Sequence, residues 1–213
     1  MTLSLSQRES LDQAVTTYAA QLAESPLAQA YLAGRGFTPA SAAMFRLGYV
    51  AAPLVSHEQY RGRLVIPYLT PTGVIDIRFR SIGDDVPKYM SRTGSQGHLY
   101  NVGAFGIDSG FIAVCEGEID TMTAAGMCDI PCVGLPGANS WKPWMARAFT
   151  DYSKVFVLCD GDDAGRELGK KIRQGVDEAV LIHLPDGQDV NSLYLTGGAS
   201  EIRARIGLGR EIE

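Results

Sequence analysis

The sequence predicts an α/β protein: a C-terminal parallel sheet flanked by helices, preceded by a smaller mixed α+β subdomain. Two observations carry this. From residue 111 onward, four short apolar runs, FIAVC (111–115), PCVGL (131–135), KVFVLC (154–159) and AVLIHL (179–184), alternate with helical stretches of roughly 10–15 residues. Strand–helix–strand alternation of this kind belongs to a parallel sheet covered on both faces. Before residue 110 the pattern is different, a helical cluster and then a hairpin. The expected boundary therefore falls near residue 110, with subdomains over 1–110 and 111–213.

The elements follow in order. Leu11, Val15, Tyr18, Ala19 and Leu22 are spaced for one face of a helix over 10–23. Ser25-Pro26 and Thr38-Pro39 each set an N-cap residue before a proline suited to the first helical position, so two short helices should follow, the first ending near Gly34 or Gly36. RLVIPYL (63–69), the turn TPTG and VIDIRFRSI (74–82) read as a β-hairpin. In its second strand Ile75, Ile77 and Phe79 alternate with Asp76, Arg78 and Arg80, which predicts one buried face and one face presenting two arginines. Residues 83–110, with PKYMSR inside, are glycine-rich and predict a surface loop. Trp141 and Trp144 are expected to pack from a helix around 141–149, with stacking on a nucleic-acid base as the alternative.

Composition narrows the class. The chain has 213 residues, 46% hydrophobic and 20% charged, which suits one large or two small packed domains. No apolar run approaches the ~20 residues that span a bilayer, so no membrane partner is expected. MTLSLSQRES lacks the basic and apolar regions of a signal peptide, so a cytoplasmic location is expected. Cys115, Cys128, Cys132 and Cys159 form no CxxC pair, and His57, His98 and His183 are scattered. Free buried thiols are the expectation, and no zinc. The net charge of −5 argues weakly against a nucleic-acid partner. Its distribution points the other way. Residues 35–92 carry eight basic against four acidic side chains, so the rest of the chain sums to −9. Charge alone does not separate a phosphate-binding segment from chance.

The acids are more informative. In an open parallel sheet, ligands bind beyond the carboxyl ends of the strands. FIAVC runs into Glu116, Gly117, Glu118 and Asp120; KVFVLC runs into Asp160, Gly161, Asp162 and Asp163; AVLIHL runs into Asp186, Gly187, Gln188 and Asp189. Each motif alone reads equally as a solvated turn or a helix cap. Three of them at three strand ends point to a cation, because clustered carboxylates repel unless solvated, protonated or neutralised. A hard divalent ion such as Mg²⁺ takes oxygen ligands and keeps several waters, so one to three carboxylates suffice. Asp163 and Glu118 each begin a helix, where a carboxylate simply favours the dipole. Asp120 is ambiguous, a turn into its helix yet able to reach back over the first acid.

EGEID, then DGDDAG about 45 positions later, then LPDGQDVN resembles the Toprim domain of primases and topoisomerases, and the last two motifs resemble its primase branch. Upstream, AQAYLAGRGFTPASAAMFRLGY and RGRLVIPYLTPTGVIDIRFRSI with PKYMSR are similar to the DnaG-type RNA polymerase domain, so the likeness covers about residues 25–195. The resemblance implies a Toprim-like parallel sheet in a DNA primase catalytic core that synthesises short RNA primers by metal-dependent nucleotidyl transfer. It implies Glu116, Asp160 and Asp162 as catalytic and metal-holding residues, with Asp189 and Asp120 as further metal candidates and Mg²⁺ or Mn²⁺ as cofactor. Arg63, Arg80 and Lys88, with Arg61 and Arg78 beside them, would contact template or nucleotide phosphates. The implied partners are a single-stranded DNA template and ribonucleoside triphosphates. SRTGSQGHLYNV after PKY is shorter than the bacterial insert, and GLPGANSW is closer to phage and mitochondrial primase-helicases. The expectation is a phage or split primase core whose zinc-binding template-recognition protein and replicative helicase are separate chains. Two rivals use the same motifs: a Toprim-type nuclease, and a non-catalytic single-stranded-DNA-binding accessory protein. A topoisomerase would need a separate large domain with a nucleophilic tyrosine, for which the chain is too short.

Overall fold

The computed structural model describes residues 3–209. The chain divides into two compact units, Met1–Gln96 and Gly97–Glu213.

The first unit opens with α1 (Leu5–Ala23). Ser4 and Gln7 form a reciprocal capping box at its start, which satisfies two backbone N–H groups that a helix end otherwise leaves unpaired. α2 (Pro26–Gly34) and α3 (Pro39–Met44) begin at Ser25 and Thr38, whose hydroxyls accept from Ala28 and Ser41 N–H. Both caps and both first-position prolines are as the sequence predicts. The strands β1 (Gly48–Tyr49), β2 (Arg63–Thr70), β3 (Gly73–Ser81) and β4 (Tyr89–Ser91) form an antiparallel sheet in that order. α1 lies directly on β1: a Cβ at Gly48 would stand 2.7 Å from the Tyr18 backbone. Val15, Tyr18, Val65, Ile77 and Phe79 make the core, with the Tyr60 and Phe79 rings stacked 3.7 Å apart.

Two details depart from expectation here. β4 lies inside the stretch read as loop, because Ser81 N–H donates to Lys88 O and Arg63 donates to Pro87 O, docking the segment on the edge of β3. The polar face of β3 is also covered. Asp76 and Arg80 are both buried, Asp76 against Arg92 and Ser95, and Arg80 against Tyr31 and Tyr89.

The second unit is a parallel sheet in the order β6-β5-β7-β8. Its strands are β5 (Phe111–Glu116), β6 (Cys132–Leu135), β7 (Lys154–Cys159) and β8 (Ala179–His183). The helices are α4 (Glu118–Met127), α5 (Asp163–Arg173) and α6 (Val190–Arg205), the last broken at Gly198. Period-two alternation sends Ile112, Val114, Val155 and Val157 to one face, against Leu168 and Ile172 of α5. It sends Ala113, Cys115, Phe156 and Leu158 to the other, against Ala124 of α4 and Leu193 and Ile202 of α6. Residues 97–110 belong with this unit rather than with the N-terminal half: Tyr100 and Gly134 exchange backbone hydrogen bonds of 2.8 and 3.0 Å along β6, and Ala104 enters the core. All four cysteines are buried and free. Among the described residues, no helix is long and apolar enough to cross a membrane.

Candidate active site

Because the four strands are parallel, their carboxyl ends share one edge of the sheet, and the acids collect there. Glu116 is the last residue of β5. Its Oε1 accepts from Ala138 N–H at 3.0 Å, which ties it to the loop leaving β6. Asp160 follows β7 directly, and Asp162 caps α5, accepting from Gly165 N–H at 2.7 Å. Asp189 caps α6 in a capping box with Ser192, accepting its N–H at 2.7 Å. Asp120, buried in the first turn of α4, accepts from the backbone N–H of Asn191 at 2.9 Å. The N-terminus of α6 therefore holds one carboxylate of its own and one from α4, as a helix N-terminus favours.

Glycines permit this crowding. Gly161 N–H donates to Gln188 O, and Gly187 N–H donates to Gly161 O, both at 2.8 Å, so the loops after β7 and β8 are clamped together. A Cβ at Gly161 would stand 1.8 Å from Pro185 O. A Cβ at Gly165 would stand 2.6–2.9 Å from Asp160 atoms, so α5 begins pressed against that residue.

The electrostatics single out Asp160. Burial, and then the charges of Asp120, Glu116, Asp189 and Asp162, push its carboxyl up to about 9 from the usual 3.8. Glu116 is also raised, by burial first and by Asp162 last, with the Ala138 hydrogen bond opposing. The other four predicted acids thus all act on Asp160. The buried oxygens Glu116 Oε2, Asp160 Oδ1 and Gln188 Oε1 have no hydrogen-bond donor. Among the described residues, however, no group of three or more His, Cys, Asp or Glu side chains is close enough to form a ready-made metal-ligand set. Mutual repulsion opposes a tighter approach of bare carboxylates. The donor set nonetheless fits a hard cation, being oxygen-only, anionic and carrying oxygens that nothing else satisfies.

The other predicted residues divide. Asp163 is a helix-start carboxylate, its side chain 99% exposed and paired with Arg166 at 2.9 Å. Glu118 also begins its helix but is fully buried, which the sequence did not foretell. In the first unit, Arg63 donates to Pro87 O at 2.8 Å and to Lys88 O at 3.4 Å. Arg80 donates to the hydroxyls of Tyr31 and Tyr89, and both arginines are buried. Arg78 lies over the Tyr89 ring at 4.6 Å. Lys88 is exposed. Four of the five basic candidates thus gather at residues 87–89, while Arg61 stands apart, donating to Ala51 O. Trp141 packs near Phe149 as expected, but Trp144 is 64% exposed and does not.

Sequence reasoning missed Gln188 and Asn191. Gln188 Oε1 is among the undonated oxygens, and Asn191, fully buried, donates through Nδ2 to Thr123 Oγ1 at 3.0 Å. Both lie in LPDGQDVN, where only acids draw the eye. The Asn191–Thr123 bond fastens α6 to α4 and so helps hold Asp120 in place. Thr123→Val is expected to cost about 1–2 kcal/mol of stability, read as a lower urea midpoint with unchanged slope.

The comparisons agree with this geometry. A family described as Toprim-like matches residues 113–194. The Gene 57 protein of Mycobacterium phage D29 is 41% identical over 152 residues, covering 69% of this chain and 99% of the relative. The DNA primase of Aquifex aeolicus is 26% identical over 245 residues, covering 95% of this chain and 49% of the relative. The Pseudomonas aeruginosa primase is 26% identical over 166 residues, covering 70% of this chain and 25% of its own length, so the chain spans a quarter to a half of these bacterial relatives. The solved zinc-binding and RNA polymerase domains of the Aquifex aeolicus primase superpose with a TM-score of 0.80 at 26% identity, over 99% of this chain and 63% of that one. A DnaG primase catalytic domain bound to single-stranded DNA superposes with a TM-score of 0.75 at 22% identity, over 96% and 80% of the two chains. The phage relative is matched over nearly its whole length and the two-unit fold superposes on the primase structures, so the chain belongs to the family of the mycobacteriophage Gene 57 protein, a Toprim-bearing homologue of the DnaG primase catalytic core.

Proposed function

We propose that this chain synthesises short RNA primers on single-stranded DNA by metal-dependent nucleotidyl transfer. The observation that carries the reading is the acid-lined sheet edge, with undonated buried oxygens on Glu116 and Asp160, on a DnaG-core fold. Glu116, Asp160 and Asp162 would hold Mg²⁺ or Mn²⁺, with Asp120 and Asp189 supplying further negative charge. Such an ion, when bound, stabilises charge on the reacting phosphates as pyrophosphate leaves. The chain's own residues do the rest. The Gly161–Gln188 and Gly187–Gly161 bonds fix the two acidic loops against each other. The Ala138 N–H orients Glu116. In the first unit the buried Arg63 and Arg80 shape the 87–89 segment, and the exposed Lys88 and Arg61, with Arg78 nearby on β3, are assigned the phosphate contacts.

We assign single-stranded DNA as template, supported by the DnaG catalytic domain bound to single-stranded DNA, and ribonucleoside triphosphates as substrates. The Aquifex structure includes a zinc-binding domain, and this chain covers 63% of that structure. The further partners we assign are a zinc-binding template-recognition protein and a replicative helicase, in the host cytoplasm of a phage. The test is direct. Purified protein with mixed-sequence single-stranded DNA, Mg²⁺ or Mn²⁺ and labelled ribonucleoside triphosphates should give short RNA on a gel, and Asp160→Ala should give none. Cleavage of the DNA in place of RNA synthesis would install the nuclease reading. Single-stranded DNA binding that survives Asp160→Ala, with no RNA from either protein, would install the accessory reading.

A further inference from the structure

We propose that Trp144, with Lys142 and Arg147, forms a stacking site for a base of single-stranded nucleic acid on the second unit. The proposal rests on the primase reading and adds a nucleic-acid contact outside the basic first unit.

Four observations converge on it. First, Trp144 is 64% exposed, and among the described residues it is the only aromatic side chain in the exposed class. A tryptophan normally buries most of its surface, so an exposed one is a candidate contact. Second, its position is built rather than frayed. It sits in a 3₁₀ helix, Pro143–Phe149, that Met145 and Phe149 anchor in the core at 2% and 1% exposure. Residues three apart eclipse in a 3₁₀ helix. Trp144 and Arg147 therefore share one side, and both are exposed. Third, the segment is fixed at both ends: before it Ala138 N–H donates to Glu116 Oε1 and Ser140 N–H closes a turn onto Gly137 O, and Trp141 and Ala146 then pack by Gly175, at the end of α5 away from its Asp162 cap.

Fourth, cations lie on the segment and on the element packed against it, with Asp151, Asp177 and Glu178 the exposed acids of the same two stretches. Lys142 is exposed immediately before the helix. The end of α5 packs beneath it, since a Cβ at Gly175 would stand 3.6 Å from Ala146 and 3.8 Å from Trp141. That last turn of α5 carries Lys170, Lys171 and Arg173. Lys170 is engaged by Glu167, whereas Lys142, Arg147 and Arg173 are exposed. An exposed aromatic with exposed Lys142 and Arg147 on its own segment suits a polyanion whose bases are unstacked. It does not suit an apolar peptide, for which the lysines and arginines would have no counterpart. A protein partner is the competing occupant, and the experiment separates the two.

The measurement is fluorescence anisotropy of a labelled mixed-sequence oligonucleotide of about 20 nucleotides, long enough to exceed the usual single-strand site size. It is made with wild type, Trp144→Ala, Trp144→Phe and Arg147→Ala over a range of salt. Trp144→Ala should weaken binding roughly 5- to 100-fold while Trp144→Phe keeps most of the affinity, because either ring can stack. Arg147→Ala should reduce the slope of log affinity against log salt by about 0.7, the loss of one phosphate contact to a single strand. Melting temperatures should match wild type, since the side chains changed are exposed. If wild type binds the oligonucleotide and Trp144→Ala binds it equally well, this proposal is wrong and the primase reading stands. If wild type binds no single-stranded DNA, both fall. If Trp144→Ala alters the oligomeric state in sedimentation but not DNA affinity, the side chain serves a protein contact and the proposal is overturned.

Discussion

Asp160→Asn is expected to make the cation-free protein more stable than wild type at about pH 8 while lowering RNA synthesis by at least about 100-fold. The two effects have one cause. Asp160 is buried among four carboxylates, and its folded-state proton affinity lies at about 9 against 3.8 for an ordinary aspartate. A group raised on folding contributes stability fully present below its unfolded value and lost as pH rises through the folded one. The cation-free wild type should therefore lose stability steadily between about pH 4 and about pH 9. Asparagine carries no charge to bury, so the variant should lose less over that window, and the two proteins should converge near about pH 4. Adding Mg²⁺ or Mn²⁺ at about pH 8 should raise the melting temperature of wild type and leave that of Asp160→Asn nearly unchanged. Thermal melts in chelator and in metal, at both ends of the range, check every part of this. A wild type less stable in acid than at about pH 8 without cation would show that Asp160 is not held in the way described.

Gly161→Ala should be the most damaging conservative change in the second unit. The added Cβ would stand 1.8 Å from Pro185 O, 2.7 Å from Pro185 C and 2.9 Å from Gly187 N. All three are backbone atoms, so no flexible side chain can yield. Relief requires the loop after β8 to move away, which breaks the Gly161–Gln188 and Gly187–Gly161 hydrogen bonds. Overpacking together with two lost bonds costs about 3 kcal/mol or more. For a chain of this size that lowers the melting temperature by roughly 6–12 °C. RNA synthesis should fall further than stability alone explains, because the displaced loop carries Gln188 and Asp189. Gly187→Ala is a useful contrast. Nothing lies within 4 Å of a Cβ there, and its cost is only the strain of φ +74°. Melting curves of the two variants should rank Gly161→Ala well below Gly187→Ala.

Much of the fold was legible because strong local signals agreed. Ser25-Pro26 and Thr38-Pro39 set helix starts by stereochemistry alone, and the four apolar runs of the second unit place strands β5 to β8 within a residue or two. The acids were legible for the same reason, since parallel topology brings every strand's carboxyl end to one edge. What escaped the sequence is non-local. β4 forms because Arg63 and Ser81 hold the 87–88 carbonyls, a pairing that no periodicity within 83–110 reveals. Alternation in β3 predicted an exposed arginine face, but Tyr31 and Tyr89, distant in sequence, cover Arg80. Gln188 and Asn191 are uncharged, one just before α6 and one in its first turn, where their polarity reads as solvent exposure. Trp141 and Trp144 are three residues apart, but Trp141 precedes the Pro143–Phe149 helix and packs near Phe149 while Trp144 lies within the helix and is exposed.

The measurement that bears most directly on the central claim is a titration of the purified chain with Mn²⁺, following free ion by electron paramagnetic resonance and heat by calorimetry. Wild type should bind one or two ions saturably, and Glu116→Gln and Asp160→Asn should each weaken that binding at least about 10-fold without loss of fold. Saturable binding lost in both variants would establish that the acids at the ends of β5 and β7 hold a cation. Wild type with no saturable binding, or variants that bind as wild type does, would contradict the account at its foundation.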